Sequence, residues 1–133
     1  MSLKSYRELE VWRLAMDLTE LVYAITKQYP ADERYGLTSQ SRKAAVSVPS
    51  NIAEGYGRTH RGDYLKFLSN ARGSLCELET QLILAVRLKF VTREEVVPAW
   101  NLCQQVGKML LRMILKLADD THPKPQPKDP PVQ

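Results

Sequence analysis

YLKFLSNARGSLCELETQLILA, residues 64–85, sets Tyr64, Leu68, Ala71, Leu75, Leu78, Leu82 and Ala85 at alternating steps of four and three. Side chains so spaced fall on one side of a helix, because 3.6 residues complete a turn. The pattern predicts a single long helix from about Thr59 to Lys89, carrying one uninterrupted stripe of apolar and small residues.

The segments on either side repeat the pattern. A first helix is expected from about Tyr6 to Gln28, with Val11, Leu14, Leu18, Leu21 and Ile25 as its stripe and Trp12, Ala15 and Val22 widening it. It should stop at Tyr29-Pro30, since the residue before a proline is pushed out of helical geometry. A second starts near Glu33 or Leu37 and aligns Leu37, Ser41, Ala44, Val48 and Ile52, with Pro49 inside it. The proline removes one amide donor and crowds the Ala45 carbonyl, so a kink is expected there. Gly55 and Gly57 are expected to end this helix and reverse the chain.

After a break at Phe90-Val91-Thr92, Thr92 and Glu95 have capping-box spacing. Val96, Trp100, Cys103, Gly107, Leu110, Ile114 and Leu117 then continue as a fourth stripe, with Pro98 near the first turn. No strand-like alternation, hairpin signal or internal repeat is present. The reading is all-α: an antiparallel up-down-up-down four-helix bundle over residues 1–120. Residues 121–133 hold five of the eight prolines and are expected to form an extended or disordered tail.

The 133 residues suit one domain. No apolar run approaches the ~20 residues that span a bilayer, and the N-terminal stretch has no apolar block of the secretory kind. No membrane association is expected, and a cytoplasmic location is the default. Cys76 and Cys103 lack metal-type spacing, and both are read as small buried hydrophobes in a reducing compartment.

Charge is unevenly spread. The whole chain carries a net +4, yet residues 34–73 alone hold seven cations against Glu54 and Asp63, an excess of five. The seven are Arg34, Arg42, Lys43, Arg58, Arg61, Lys66 and Arg72. Such a concentration suits a polyanion. Tyr56, Arg58, His60, Arg61, Tyr64, Lys66 and Phe67 also mix stacking groups with cations, as single-stranded nucleic acid requires; a solvated turn with Tyr64 and Phe67 in the core or at a subunit contact fits the same letters.

Enzymatic signatures do not assemble. EGYGRTHRGD (54–63) has neither phosphate-loop spacing nor a preceding strand. His60 and Asp63 are too few for a zinc site. Glu77 and Glu79 point to different sides of their helix, and the Glu-x-x-His pairs of di-iron bundles are missing. No catalytic residue, cofactor or metal is expected.

YGLTSQSRKAAVSVPSNIAEGYGR (35–58), followed by the stretch at 64–85, resembles the bacterial four-helix-bundle family encoded in intervening sequences of large-subunit ribosomal RNA genes. That family is similar to the accessory variability proteins of diversity-generating retroelements. The resemblance covers about residues 6–118, and its pattern includes Gln40, Arg42, Ser47, Pro49, Asn51, Glu54, Gly55, Ser74, Glu77 and Glu79. It implies a left-handed bundle assembled as a homopentameric ring with a positively charged surface or channel. A reverse transcriptase partner is implied only in a retroelement setting.

None of the pattern residues has a catalytic role in the family. Gln40, Asn51, Glu54, Ser74 and Glu77 are placed to satisfy the backbone that Pro49 disrupts, or to pin subunit register. The leading expectation is a non-enzymatic oligomeric scaffold that binds nucleic acid through the seven cations. The alternative is an adaptor whose basic face meets an acidic protein.

Overall fold

A computed structural model of the chain describes residues 5–121. Four helices make up the described residues: α1 (Glu10–Thr26), α2 (Leu37–Tyr56), α3 (Arg61–Arg87) and α4 (Arg93–Thr121), with single 3-10 turns at Tyr6–Glu8 and Ala31–Glu33. Each helix packs on two others: α2 on α1 and α3, and α4 on α3 and α1. This closed ring of neighbours surrounds one core. The proline-rich stretch beyond Thr121 lies outside the described residues.

The stripes read from the sequence face the core, although Leu14 and Leu21 of α1, Tyr64 of α3 and Trp100, Gly107, Ile114 and Leu117 of α4 are only half-buried. On α3, Leu68, Ala71, Leu75, Leu78, Leu82 and Ala85 are buried, and on α2 so are Leu37, Ser41, Ala44, Val48 and Ile52. The α1 face centres on Val11, Ala15, Leu18, Val22 and Ile25, while α4 adds Ala99 and Val106 to the expected Val96, Cys103 and Leu110. Each large aliphatic side chain fully buried here contributes about 1.5–3 kcal/mol. Core burial therefore outweighs any single polar contact on the surface.

Several boundaries differ from the sequence reading. α1 ends at Thr26, and the amides of Gln28 and Tyr29 bond back to the carbonyls of Ile25 and Thr26 at 3.1 Å. Tyr29 is thereby buried against Phe90, ring centroids 5.7 Å apart. α3 begins at Arg61, with Thr59 before it. Cys103 is buried as expected, and burial pushes its thiol up to about 12, with Glu79 adding to the shift. Cys76 is exposed, not buried as expected; it follows Leu75 and so lies off the α3 stripe.

The capping box at the start of α4 forms as expected. The Thr92 amide donates to Glu95 Oε1 at 3.0 Å, and the Glu95 amide donates to Thr92 Oγ1 at 3.2 Å. Just before it, Lys89 at φ 64° closes α3, with the Phe90 amide on the Ala85 carbonyl (2.9 Å) and the Lys89 amide on that of Val86 (3.0 Å). Those two bonds make a Schellman ending, with a lysine where glycine is usual.

Pro49 lies inside α2, and the helix continues through it to Tyr56. A proline in a helix interior costs about 3 kcal/mol, partly because the carbonyl four residues earlier loses its donor. Here that carbonyl, Ala45, accepts from Thr19 Oγ1 of α1 at 3.1 Å. The Thr19 hydroxyl shares its single proton with its own Ala15 carbonyl at 2.8 Å. The residue that serves the Ala45 carbonyl is thus Thr19; of Gln40, Asn51, Glu54, Ser74 and Glu77, Asn51 reaches the α2 backbone near the proline, but at the Ser47 carbonyl.

Candidate nucleic-acid interface

Ser47, held by Asn51 of its own helix, joins the 35–58 stretch to α3. Asn51 Nδ2 donates to the Ser47 carbonyl (2.7 Å) and to Ser47 Oγ (2.9 Å), and Ser47 Oγ lies 2.8 Å from Ser74 Oγ on α3. Glu79 accepts from Gln104 of α4 at 3.1 Å, and Glu77 from Gln81 at 3.3 Å. Gly55 is inside α2 and buried, not a terminator. A Cβ at this position would stand 2.8 Å from Phe67 Cβ and 3.0 Å from Tyr64 Cδ1. Its bare backbone is what lets α2 and α3 approach there.

The seven expected cations do not form one patch. Arg34, Arg42 and Lys43 meet at the start of α2, in an open groove of about 460 Å³ that also includes Tyr23, Tyr35 and Ser39. Arg58, Arg61 and Lys66 lie around the α2–α3 turn, at the other end of a 20-residue helix. At 1.5 Å per residue these ends are about 30 Å apart. Arg72 belongs to neither end: it lines a separate groove between α3 and α4 with Lys108. Proximity in sequence overstated proximity in space, because α2 carries the chain from one end of the bundle to the other.

Within the first cluster the cations differ in freedom. Arg42 is half-buried: Nε donates to Thr26 Oγ1 at 2.8 Å, and its guanidinium lies 4.6 Å from the centre of the Tyr23 ring. It fastens α2 to the end of α1, where positive charge also favours the helix dipole. Arg34 and Lys43 are exposed. Tyr35 is 87% exposed, with the Arg34 guanidinium 5.5 Å from its ring centre. An exposed aromatic beside free cations is the combination that stacks a base while holding phosphate.

The turn cluster is built differently. Arg58 pairs with Glu54 at 2.9 Å and lies 4.9 Å from the Phe67 ring centre. Both partners are about half exposed, and such i,i+4 pairs contribute only about 0.3–0.5 kcal/mol. Tyr56 and Tyr64 meet edge to face at 6.1 Å, and Tyr64 is half-buried, its phenol raised first by burial and then by Tyr56. The turn's aromatics are half-buried and packed on their neighbours, while Arg58, Arg61 and Lys66 face outward together with Glu54, His60 and Asp63. Arg61 and Lys66 are exposed.

Sequence reasoning missed Tyr23, Tyr35 and Lys108. The Arg34-Tyr35 pair beside Gly36 was the available signal for Tyr35, and Lys108, Arg112 and Lys116 follow one another at helical spacing on α4. Among the described residues no group of three or more His, Cys, Asp and Glu is placed to hold a metal ion. No helix among them is long and apolar enough to cross a membrane.

The family model for 23S rRNA-intervening sequence proteins matches residues 7–112. The chain belongs to this family. Its fold is similar to a crystal structure of a protein of unknown function from the S23 ribosomal protein family of Bacteroides thetaiotaomicron, with a TM-score of 0.72 and 23% sequence identity over 78% of this chain and 97% of that one. No curated protein matches the chain. In this intervening-sequence protein, then, the matched region takes in all seven cations and the whole α2–α3 hydrogen-bond chain.

Proposed function

We propose that this intervening-sequence protein is a non-enzymatic, cytoplasmic scaffold that binds single-stranded RNA or DNA. The groove of Arg34, Arg42 and Lys43 is its primary contact. The observation that carries the reading is Tyr35, almost fully exposed and flanked by Arg34 and Lys43 in one open groove. Arg58, Arg61, Lys66 and Arg72 add phosphate contacts along the path of the strand. We further infer an antiparallel up-down-up-down bundle assembled as a homopentameric ring. Exposed apolar side chains such as Met16, Val46, Leu111 and Leu115 supply area for contacts between copies.

Binding of short labelled RNA and DNA oligonucleotides, followed by anisotropy over a range of salt, tests the reading. Affinity should fall with salt at a log-log slope of about −0.7 per phosphate contact on a single strand. Tyr35→Ala should weaken binding by about 1–3 kcal/mol if a base stacks there. Absent or salt-independent binding by an intact assembly would refute nucleic-acid binding. Protein partners retained after nuclease treatment would then assign the basic groove to an acidic protein. Sedimentation of a strict monomer would refute the ring.

A further inference from the structure

A second concavity lies away from the basic groove, between the end of α3 and the start of α4. It holds about 520 Å³ and is floored by Leu82, Val86, Val96 and Trp100. Ile83 and Val97 form its walls and remain 46% and 41% exposed. Arg87, Arg93 and Asn101 complete the lining, which contains no carboxylate. Neither arginine has a salt-bridge partner among the described residues, where Arg58 with Glu54 is the ion pair found. Glu95, in the same turn as Arg93, is occupied by the Thr92 amide.

We propose that this groove receives a short amphipathic helix of a partner protein, its apolar side framed by carboxylates. Aliphatic walls and a half-buried indole call for apolar anchors, and two unpaired guanidinium groups call for anions at the margin. The occupant is helical because no strand edge borders the groove. An extended peptide would leave its amides and carbonyls unmet there, whereas a helix satisfies its own. From Arg93 to Asn101 the α4 wall runs about 12 Å at 1.5 Å per residue, matching two helical turns.

The alternatives fit less well. A two-fold contact with a second copy would set Arg87 and Arg93 against their own equivalents, and a head-to-tail contact in a ring would bury about 20–30 residues a side, far more than this groove offers. Nucleic acid finds mostly apolar lining here and few cations. The proposal stands apart from nucleic-acid binding and does not depend on it.

The test uses three labelled amphipathic peptides that share one Leu/Phe face and carry Glu, Gln or Lys on the other. Each is titrated with the full chain by anisotropy, and Trp100 emission is followed in a Trp12→Phe background. The expected order is acidic, then neutral, then basic, with a change in Trp100 emission. Arg87→Glu with Arg93→Glu should weaken the acidic peptide about tenfold and reverse the order. Val97→Asp should abolish binding while circular dichroism shows the helices intact.

Arg34→Ala with Lys43→Ala should leave the order unchanged, which separates this site from the basic groove. Equal binding of the three peptides overturns the proposal. So does an order that survives the Arg87 and Arg93 reversal, or one lost with Arg34 and Lys43. A smaller sedimenting species for Val97→Asp also overturns it, since a second copy would then fill the groove.

Discussion

At the scale of single residues, the segment around Pro49 balances one backbone defect against one hydroxyl. Thr19 Oγ1 reaches the Ala45 carbonyl that Pro49 leaves without its helical donor. Thr19→Val keeps the shape and removes the donor, so it should destabilise the bundle by about 1 kcal/mol in urea unfolding. In a Pro49→Ala background the amide restored at position 49 serves the same carbonyl, and the Thr19→Val penalty should shrink. Equal penalties in both backgrounds would dissociate Thr19 from the proline. Glycines separate in the same way by what surrounds them. Gly55→Ala drives a methyl to 2.8 Å from Phe67 Cβ, an atom that cannot swing aside. Overpacking of this kind costs about 1–3 kcal/mol and exceeds the roughly 1 kcal/mol gained in helix propensity. Gly73→Ala meets nothing within 4 Å on the exposed side of α3 and should stabilise by about 0.5–1 kcal/mol. Thermal or urea midpoints of the two variants should therefore move in opposite directions.

At the scale of elements, the α3–α4 connection is set by an ending and a start that meet within a few residues. The Thr92–Glu95 exchange holds the Glu95 carboxyl below its ordinary value of 4.5, chiefly through the Thr92 amide. A carboxyl with a lowered folded-state pKa adds stability above the unfolded value and loses it as pH falls through the folded one. The gap in melting temperature between the wild type and Glu95→Ala should hence be widest near neutrality and close in acid. A gap that does not vary with pH would mean the carboxylate charge plays no part. This start of α4 was legible in the sequence because a capping box is local: two residues at fixed spacing specify it. The stripes were legible for the same reason, since helical periodicity alone sorts Leu75 and Leu78 inward. Thr19 was not legible, because its partner lies 26 residues away and only the packing of α1 on α2 joins them. Gly55 misled because a glycine near a helix end reads as a terminator, while here the missing Cβ serves an interhelical approach.

At the scale of the whole molecule, the candidate site was half legible. The excess of cations in residues 34–73 is visible in the letters, but its division between the two ends of α2, with Arg72 apart on α3, is a property of the fold. That division makes the ends separable by experiment. Arg34 and Lys43 are exposed cations that hold no helix in place, so Arg34→Ala with Lys43→Ala should leave the melting temperature near that of the parent. If both meet phosphate, the log-log salt slope for a single strand should become shallower by about 1.4, at roughly 0.7 for each lost contact. Arg42→Ala should differ in kind. It also removes the donor to Thr26 Oγ1 and the cation over Tyr23, so both stability and affinity should fall. Arg61→Ala with Lys66→Ala probes the far end, about 30 Å away along α2. A strand long enough to span both ends should lose affinity with either pair of substitutions, whereas a short one should lose it only with Arg34 and Lys43. The reverse pattern, with the short strand sensitive to Arg61 and Lys66 alone, would move the primary contact from the Tyr35 groove to the α2–α3 turn.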